Sequence, residues 1–204
     1  MTIILVRHGE TALNVDRVVQ PAATPLNAHG LAQAEAVARR FAGMGVGAIL
    51  SSDLPRALAT AQAIGSACGV AVQTTPLLHE RNFGDWRGQP YDAIGHAVIT
   101  GDVAPPNGES AAQFAERVAR AFETAVRLRA TLPAPLVVVT HGLVIRAMLD
   151  RHCQLAVESP GALANTAVSI LAAGAPHAVS LFGCTSHLSG PDNAAVVARA
   201  GAPA

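Results

Sequence analysis

Lysine is absent from this 204-residue chain; all 14 residues in its Lys+Arg total are arginine. Enzymes that work through a lysine Schiff base, hold pyridoxal phosphate or bind nucleotide in a P-loop are therefore excluded, because each needs a primary amine. Any phosphate must be met by guanidinium, imidazole or backbone N–H groups. An excess of positive charge is missing too, since 14 acidic side chains balance the arginines. That balance excludes the broad basic footprint of non-specific nucleic-acid binding. Cysteine is scarce: Cys68, Cys153 and Cys184 are odd in number, widely spaced and form no C-x-x-C pair. They read as buried small apolar residues in a reduced, cytoplasmic protein rather than a disulfide framework. Long apolar runs are lacking as well. Pro160, Asn165, Pro176 and His177 interrupt the most apolar third, so no membrane partner is expected. The opening Met-Thr-Ile-Ile-Leu-Val-Arg-His has no basic leader and reads as a first strand, not a signal peptide. There is no H-E-x-x-H and no Cys/His cluster, and His29, His96, His152 and His177 lack ligand spacing. No metal or cofactor is expected on that basis.

What is present is half hydrophobic by composition and of a length suited to one α/β domain. Short β-branched runs alternate with longer helical patterns. Strands are predicted at residues 3–6, 47–51, 70–74, 136–140, 167–172 and 177–182. Helices are predicted at 31–41 with Asn27 as cap, and from Pro55 to near Gly69 with Ser52 or Asp53 as cap. Two more are predicted from 110 to about 131, opened by a Ser110/Gln113 capping box, and at 143–152. The stretch from 76 to 108 is rich in Gly, Pro and Asp and reads as a short cap insertion, with at most one small helix near 91–99. The alternation predicts a three-layer α/β/α sandwich around a mostly parallel sheet, occupying 1–188, with 189–204 as a loose tail.

In open α/β sheets, ligands bind beyond the carboxyl ends of the strands. Two predicted strands end alike, one in Arg7-His8-Gly9-Glu10-Thr11 and the other in His141-Gly142. Each places an imidazole just past a buried strand, followed by a glycine that lets backbone approach a ligand closely. The first of these, with Asn14, resembles the signature of the histidine phosphatase superfamily, the phosphoglycerate mutase-like fold. Four further segments recur in that family's order. They are Ser51-Ser52-Asp53-Leu54-Pro55-Arg56-Ala57 with Thr60-Ala61, Glu80-Arg81-Asn82-Phe83-Gly84-Asp85-Trp86-Arg87-Gly88, Pro106-Asn107-Gly108-Glu109-Ser110 and Thr140-His141-Gly142. Asn165-Thr166 and His187-Leu188 also fit, so the resemblance runs from residue 2 to about 188.

The resemblance implies a metal-independent phosphomonoesterase that acts on a small phosphorylated metabolite through a phosphohistidine. His8 is the expected nucleophile, its second ring nitrogen donating to a backbone carbonyl so that a lone pair faces phosphorus. Arg7, Arg56, Asn14, Gly142 and an imidazolium at His141 are expected to hold the phosphoryl oxygens. Glu80 is the expected general acid, with a pKa raised by burial beside Phe83 and Trp86. Glu10 is a rival by proximity and reads better as structural. Trp86 is read equally as pocket wall or core. Arg87 and Tyr91 are read as facing either substrate or solvent, substrate contact by Arg81 is left open, and His187 is read as support. Arg39-Arg40 and Arg127-Arg129 read as solvated helix faces.

Two other readings stay open: a phosphoglycerate mutase-type phosphotransferase, and an inactive phospho-ligand-binding relative. The mutases usually carry a longer, basic insertion, whereas here only about twenty residues separate Gly88 from Gly108 and none is lysine. That difference favours hydrolysis, in a form similar to bacterial broad-specificity and α-ribazole phosphatases. Residues 20–27 (Gln-Pro-Ala-Ala-Thr-Pro-Leu-Asn) and Arg87 depart from the family pattern at the mouth of the expected site, leaving substrate identity open. Composition leaves a homodimer open as well.

Overall fold

The computed structural model describes residues 2–95, 103–155 and 163–188. Its sheet has the order β3-β2-β4-β1-β5-β6, from β1 (Thr2–Arg7), β2 (Ala48–Ser51), β3 (Val72–Thr74), β4 (Leu136–Thr140), β5 (Val168–Ala172) and β6 (Val179–Cys184). The β3-β2-β4-β1 portion is paired in parallel, and β5 and β6 add antiparallel pairings at one side.

The central strands are continuous apolar runs because helices cover both of their faces. Ile3 and Leu5 of β1 and Leu136 and Val138 of β4 face one layer. There they meet Val118, Ala121 and Phe122 of α5 (Ala111–Ala130) and Val144 and Met148 of α6 (Gly142–His152). Ile4, Val6, Val137 and Val139 face the other layer. That layer holds Val37 and Phe41 of α2 (Ala28–Phe41) and Ala57 and Ile64 of α3 (Pro55–Cys68). Two short helices, α1 (Ala12–Val15) and α4 (Tyr91–Ile94), and two 3₁₀ turns at Pro76–Leu78 and Gly84–Trp86 lie in the connecting segments. Among the described residues, no helix is long and apolar enough to cross a membrane.

The caps at Asn27 and at Ser110/Gln113 are those expected, and α3 ends in left-handed Gly69. The start of α3 differs. Its N-cap is Leu54, with no side-chain cap and Pro55 in the first turn; the Ser52 hydroxyl accepts from the Leu54 amide (3.3 Å) and also meets His141. The last residues of the expected 91–99 helix and the expected tail at 189–204 fall outside the described residues. The paired arginines are not uniformly solvated. Arg39 and Arg127 are exposed, but Arg129 is buried, donating to the carbonyls of Thr2 (3.0 Å) and Leu132 (2.7 Å). Arg40 is half-buried. The three cysteines are free and half-buried rather than fully buried.

The register of β1 on β4 pairs Arg7 with Thr140, so His8 and His141 leave the sheet side by side. Beneath this edge, the backbone after β1 rests directly on α2. A Cβ on Gly9 would lie 2.5 Å from the Gly30 carbonyl oxygen, and one on Gly30 would lie 2.0 Å from that of Glu10. Neither position can hold a side chain without moving backbone. Gly30→Ala improves intrinsic helix propensity by about 1 kcal/mol, yet it is expected to destabilise the fold by about 1–3 kcal/mol through overpacking. Urea unfolding checks this; a neutral or stabilising result overturns the close-contact reading.

Candidate active site

Four backbone segments meet at the carboxyl edge of β1, β2 and β4. The His8 amide donates to the Thr140 carbonyl (2.9 Å) and the Ser52 amide to that of Val139 (3.0 Å). The Gly9 amide donates to Thr60 Oγ1 (3.0 Å) on α3, whose first turn carries Arg56. The loop from β3 brings Glu80 to the same edge, where the Leu143 amide, in the first turn of α6, donates to Glu80 Oε2 (3.2 Å). The Arg81 amide donates to Oε1 (3.0 Å). A helix N-terminus has unpaired N–H groups and a partial positive charge, and the Glu80 carboxylate sits on one of them.

The cleft so formed is lined by Arg7, His8, Asn14, Val19, Gln20, Arg56, Glu80, Arg81, Phe83 and Tyr91. His8 is almost wholly buried. Its Nδ1 lies 2.7 Å from the Gly9 carbonyl oxygen, which can only accept, so Nδ1 carries the proton and Nε2 keeps a free lone pair. Burial, followed by the guanidinium groups of Arg56 and Arg7, holds the His8 pKa well below its ordinary value. The imidazole is neutral at physiological pH.

His141 is completely buried against it, with ring centroids 5.1 Å apart. Its Nε2 lies 3.0 Å from Ser52 Oγ, and its buried Nδ1 has no partner. The imidazolium expected from sequence is a donor to a bound anion, and the unliganded site is a different state. Burial first, then His8 and the two arginines, hold the His141 pKa far below normal, so the unliganded site contains an imidazole and not an imidazolium. His141 and Gly142 also stand behind the cleft surface rather than among its lining residues.

The guanidinium groups are held by main-chain carbonyls. Arg7 Nη1 donates to Leu163, and Arg56 Nη1 to Pro21 (3.4 Å) and Ala22 (3.5 Å). The Nε of each is buried without a partner, an arrangement that favours an incoming anion. Burial lowers the Arg56 pKa to about 10 despite the opposing pull of Glu80, and Arg7 shifts in the same direction. Burial raises the Glu80 carboxyl above its ordinary range, against the two amides and the two arginines that favour its charge. Asn14 accepts at Oδ1 from Thr11 N (3.1 Å), Thr11 Oγ1 (3.2 Å) and Asn165 Nδ2 (3.2 Å), leaving its amide donors for a ligand.

The other sequence candidates separate cleanly. Glu10 is buried and accepts from Asn27 Nδ2 (3.0 Å), away from the cleft. Trp86 packs on the small Val19–Phe83 cluster and Arg87 is exposed, and neither lines the cleft. Tyr91 and Arg81 do. Gln20, from the segment expected at the mouth, lines the cleft; sequence reasoning missed Val19 as lining and Ser52 as the partner of His141. Among the described residues, no three His, Cys, Asp or Glu side chains are grouped to hold a metal ion.

The sheet of this α/β protein thus carries two neutral imidazoles and two guanidiniums at its carboxyl edge, a donor set suited to an anion. A family profile described as "Histidine phosphatase superfamily (branch 1)" matches residues 3–180. The probable phosphoglycerate mutase GpmB of Yersinia enterocolitica is 35% identical over 160 residues, covering 74% of each chain. A solved mycobacterial glucosyl-3-phosphoglycerate phosphatase is 28% identical with TM-score 0.77, covering 90% of this chain and 99% of that one. The solved phosphoglycerate mutase of Thermus thermophilus is 32% identical with TM-score 0.69, covering 89% and 97%. The chain belongs to the histidine phosphatase superfamily.

The depressed histidine pKa values have a consequence for stability. Below pH 6.5 the unfolded chain binds protons at His8 and His141 that the folded chain does not. Stability is therefore complete above about 6.5 and falls as the pH is lowered through the folded-state values. Between pH 7.5 and 5.5 the wild type is expected to lose more unfolding free energy in urea than His8→Gln does. Equal losses contradict neutral burial of His8.

Proposed function

We propose that the chain is a phosphomonoesterase that works through a phosphohistidine on His8. The observation that carries this reading is the Nδ1–Gly9 carbonyl hydrogen bond, which leaves the neutral Nε2 lone pair in a cleft shared with two arginines. His8 Nε2 attacks phosphorus, an N–P bond forms and the P–O bond to the leaving alcohol breaks. Arg7, Arg56 and the Asn14 amide neutralise the equatorial oxygens, where charge accumulates during phosphoryl transfer. His141 serves the same group through its unpaired Nδ1. A bound dianion offsets the charge of the two arginines and so favours a proton on His141, against the burial that keeps the unliganded ring neutral.

Glu80 gives its proton to the leaving oxygen, a role suited to a carboxyl whose pKa burial has raised. It then takes a proton from the water that attacks phosphorus, releasing orthophosphate and restoring neutral His8. The solved mycobacterial relative was crystallised with VO3, an oxyanion of the kind this cleft suits. A mutase, as the Yersinia relative's name has it, uses the same first half and returns the phosphoryl group to an alcohol. The short 89–107 segment and the absence of lysine favour water as acceptor. The substrate is a small phosphomonoester, and the three free cysteines support a reduced, cytoplasmic setting.

A panel of phosphomonoesters assayed in EDTA tests this. Orthophosphate release is expected without added metal, and a strict metal requirement contradicts the mechanism. Glu80→Gln is expected to slow alkyl phosphates by about 10²–10⁴-fold, with a much smaller effect on p-nitrophenyl phosphate, whose leaving group needs no proton. Equal losses on both substrates remove Glu80 from the acid role.

A further inference from the structure

Arg40 lies in the last turn of α2, outside the cleft lining, and its Nη1 reaches the segment that follows β6. It lies 3.3 Å from His187 Nδ1, 3.3 Å from Cys184 Sγ and 3.5 Å from Ser186 Oγ. A guanidinium only donates, so His187 Nδ1 must accept, and the ring proton is forced onto Nε2. Nε2 lies 3.0 Å from Thr166 Oγ1 and therefore donates to it.

Thr166 is fully buried and holds φ 54°, a left-handed conformation that a β-branched residue keeps only when its surroundings impose it. In that conformation its amide points at the His8 carbonyl oxygen (3.3 Å), which also accepts from Asn165 Nδ2 (3.0 Å). The same turn holds the site at two further points. The Ala167 carbonyl accepts from the Arg7 amide (3.2 Å), and the Leu163 carbonyl accepts from the Arg7 guanidinium. One strained turn thus fixes the backbone of the histidine and both ends of the arginine beside it.

We propose that Arg40 is a positioning residue for His8 and Arg7, acting by setting the tautomer of His187, which locks the Thr166 turn. Arg40 touches neither cleft nor phosphate; it acts through two intervening side chains. The arrangement also accounts for a buried histidine beside a cation. Burial and Arg40 hold the His187 pKa down to about 4, so its lone pair stays available to Arg40. The ionisable groups facing His187 are Arg40 from α2 and, on the same guanidinium, the Cys184 thiol at the end of β6.

The inference rests on the phosphomonoesterase reading for its kinetic arm only. In a ¹⁵N-labelled protein, His187 is expected as the Nε2–H tautomer, shifting to a mixture in Arg40→Met and returning in Arg40→Lys. Orthophosphate binding by calorimetry is expected to weaken on the order of 10-fold in Arg40→Met and in His187→Ala, because Arg7 loses its anchor. In the hydrolysis assay, kcat is expected to fall by about the same factor. Its acid limb is expected to move to higher pH in Arg40→Met and to stay in place in Arg40→Lys. A merely structural arginine would lower thermal stability without moving tautomer or pH profile. The proposal is overturned if both variants bind orthophosphate as the wild type does, or if the tautomer is unchanged in Arg40→Met. A wild type that binds orthophosphate but hydrolyses no phosphomonoester contradicts the functional reading and leaves the tautomer and binding results to decide this one.

Discussion

The hydrogen bond from the His8 amide to the Thr140 carbonyl is the constraint on which the site depends. It is the last rung of the parallel β1–β4 ladder, and it brings both strands to an end at the same level. Two histidines 133 positions apart in sequence thereby come to lie with their ring centroids 5.1 Å apart. The electrostatics follow from that placement. Buried beside two guanidiniums, neither ring holds a second proton, which leaves each with one nitrogen lone pair. Glu80 meets the opposite problem: burial makes its carboxylate costly, and the first turn of α6 partly compensates. Burial thus moves the imidazole and the carboxyl alike toward their neutral forms.

Much of this was legible in the chain. The apolar runs of β1 and β4 are unmistakable because both of their faces are buried, and the caps at Asn27 and Ser110 are local chemistry. His8, Arg7, Arg56, Glu80 and Asn14 could be named because their neighbours form recognisable segments, and all five line one cleft. The parallel character of the sheet follows from strand–helix alternation; the antiparallel β5 and β6 come from a hairpin-like end of the chain where that alternation stops.

What stayed hidden depends on long-range contact. Ser52 looks like a helix cap until His141 is folded against it. Arg40 and Arg129 carry the spacing of a solvated helix face, but each guanidinium reaches a distant carbonyl or ring that no local pattern reveals. Gly30 has no motif at all; its requirement comes from the Glu10 backbone lying where a Cβ would go. The charge of His141 in the unliganded site is not legible from sequence for a related reason. A phosphoryl site suggests an imidazolium, but the anion that would stabilise it arrives only with substrate. Until then, burial and two arginines decide.

The central claim is a covalent bond between phosphorus and His8 Nε2. Mixing the protein with a phosphomonoester, quenching in denaturant at alkaline pH and mapping the peptides by mass spectrometry tests it most directly. The account predicts one phosphoryl group on the peptide containing His8, stable to alkali, lost in acid and absent from His8→Ala. Turnover with no phosphorylated His8 at any quench time, or turnover retained in His8→Ala, would contradict it.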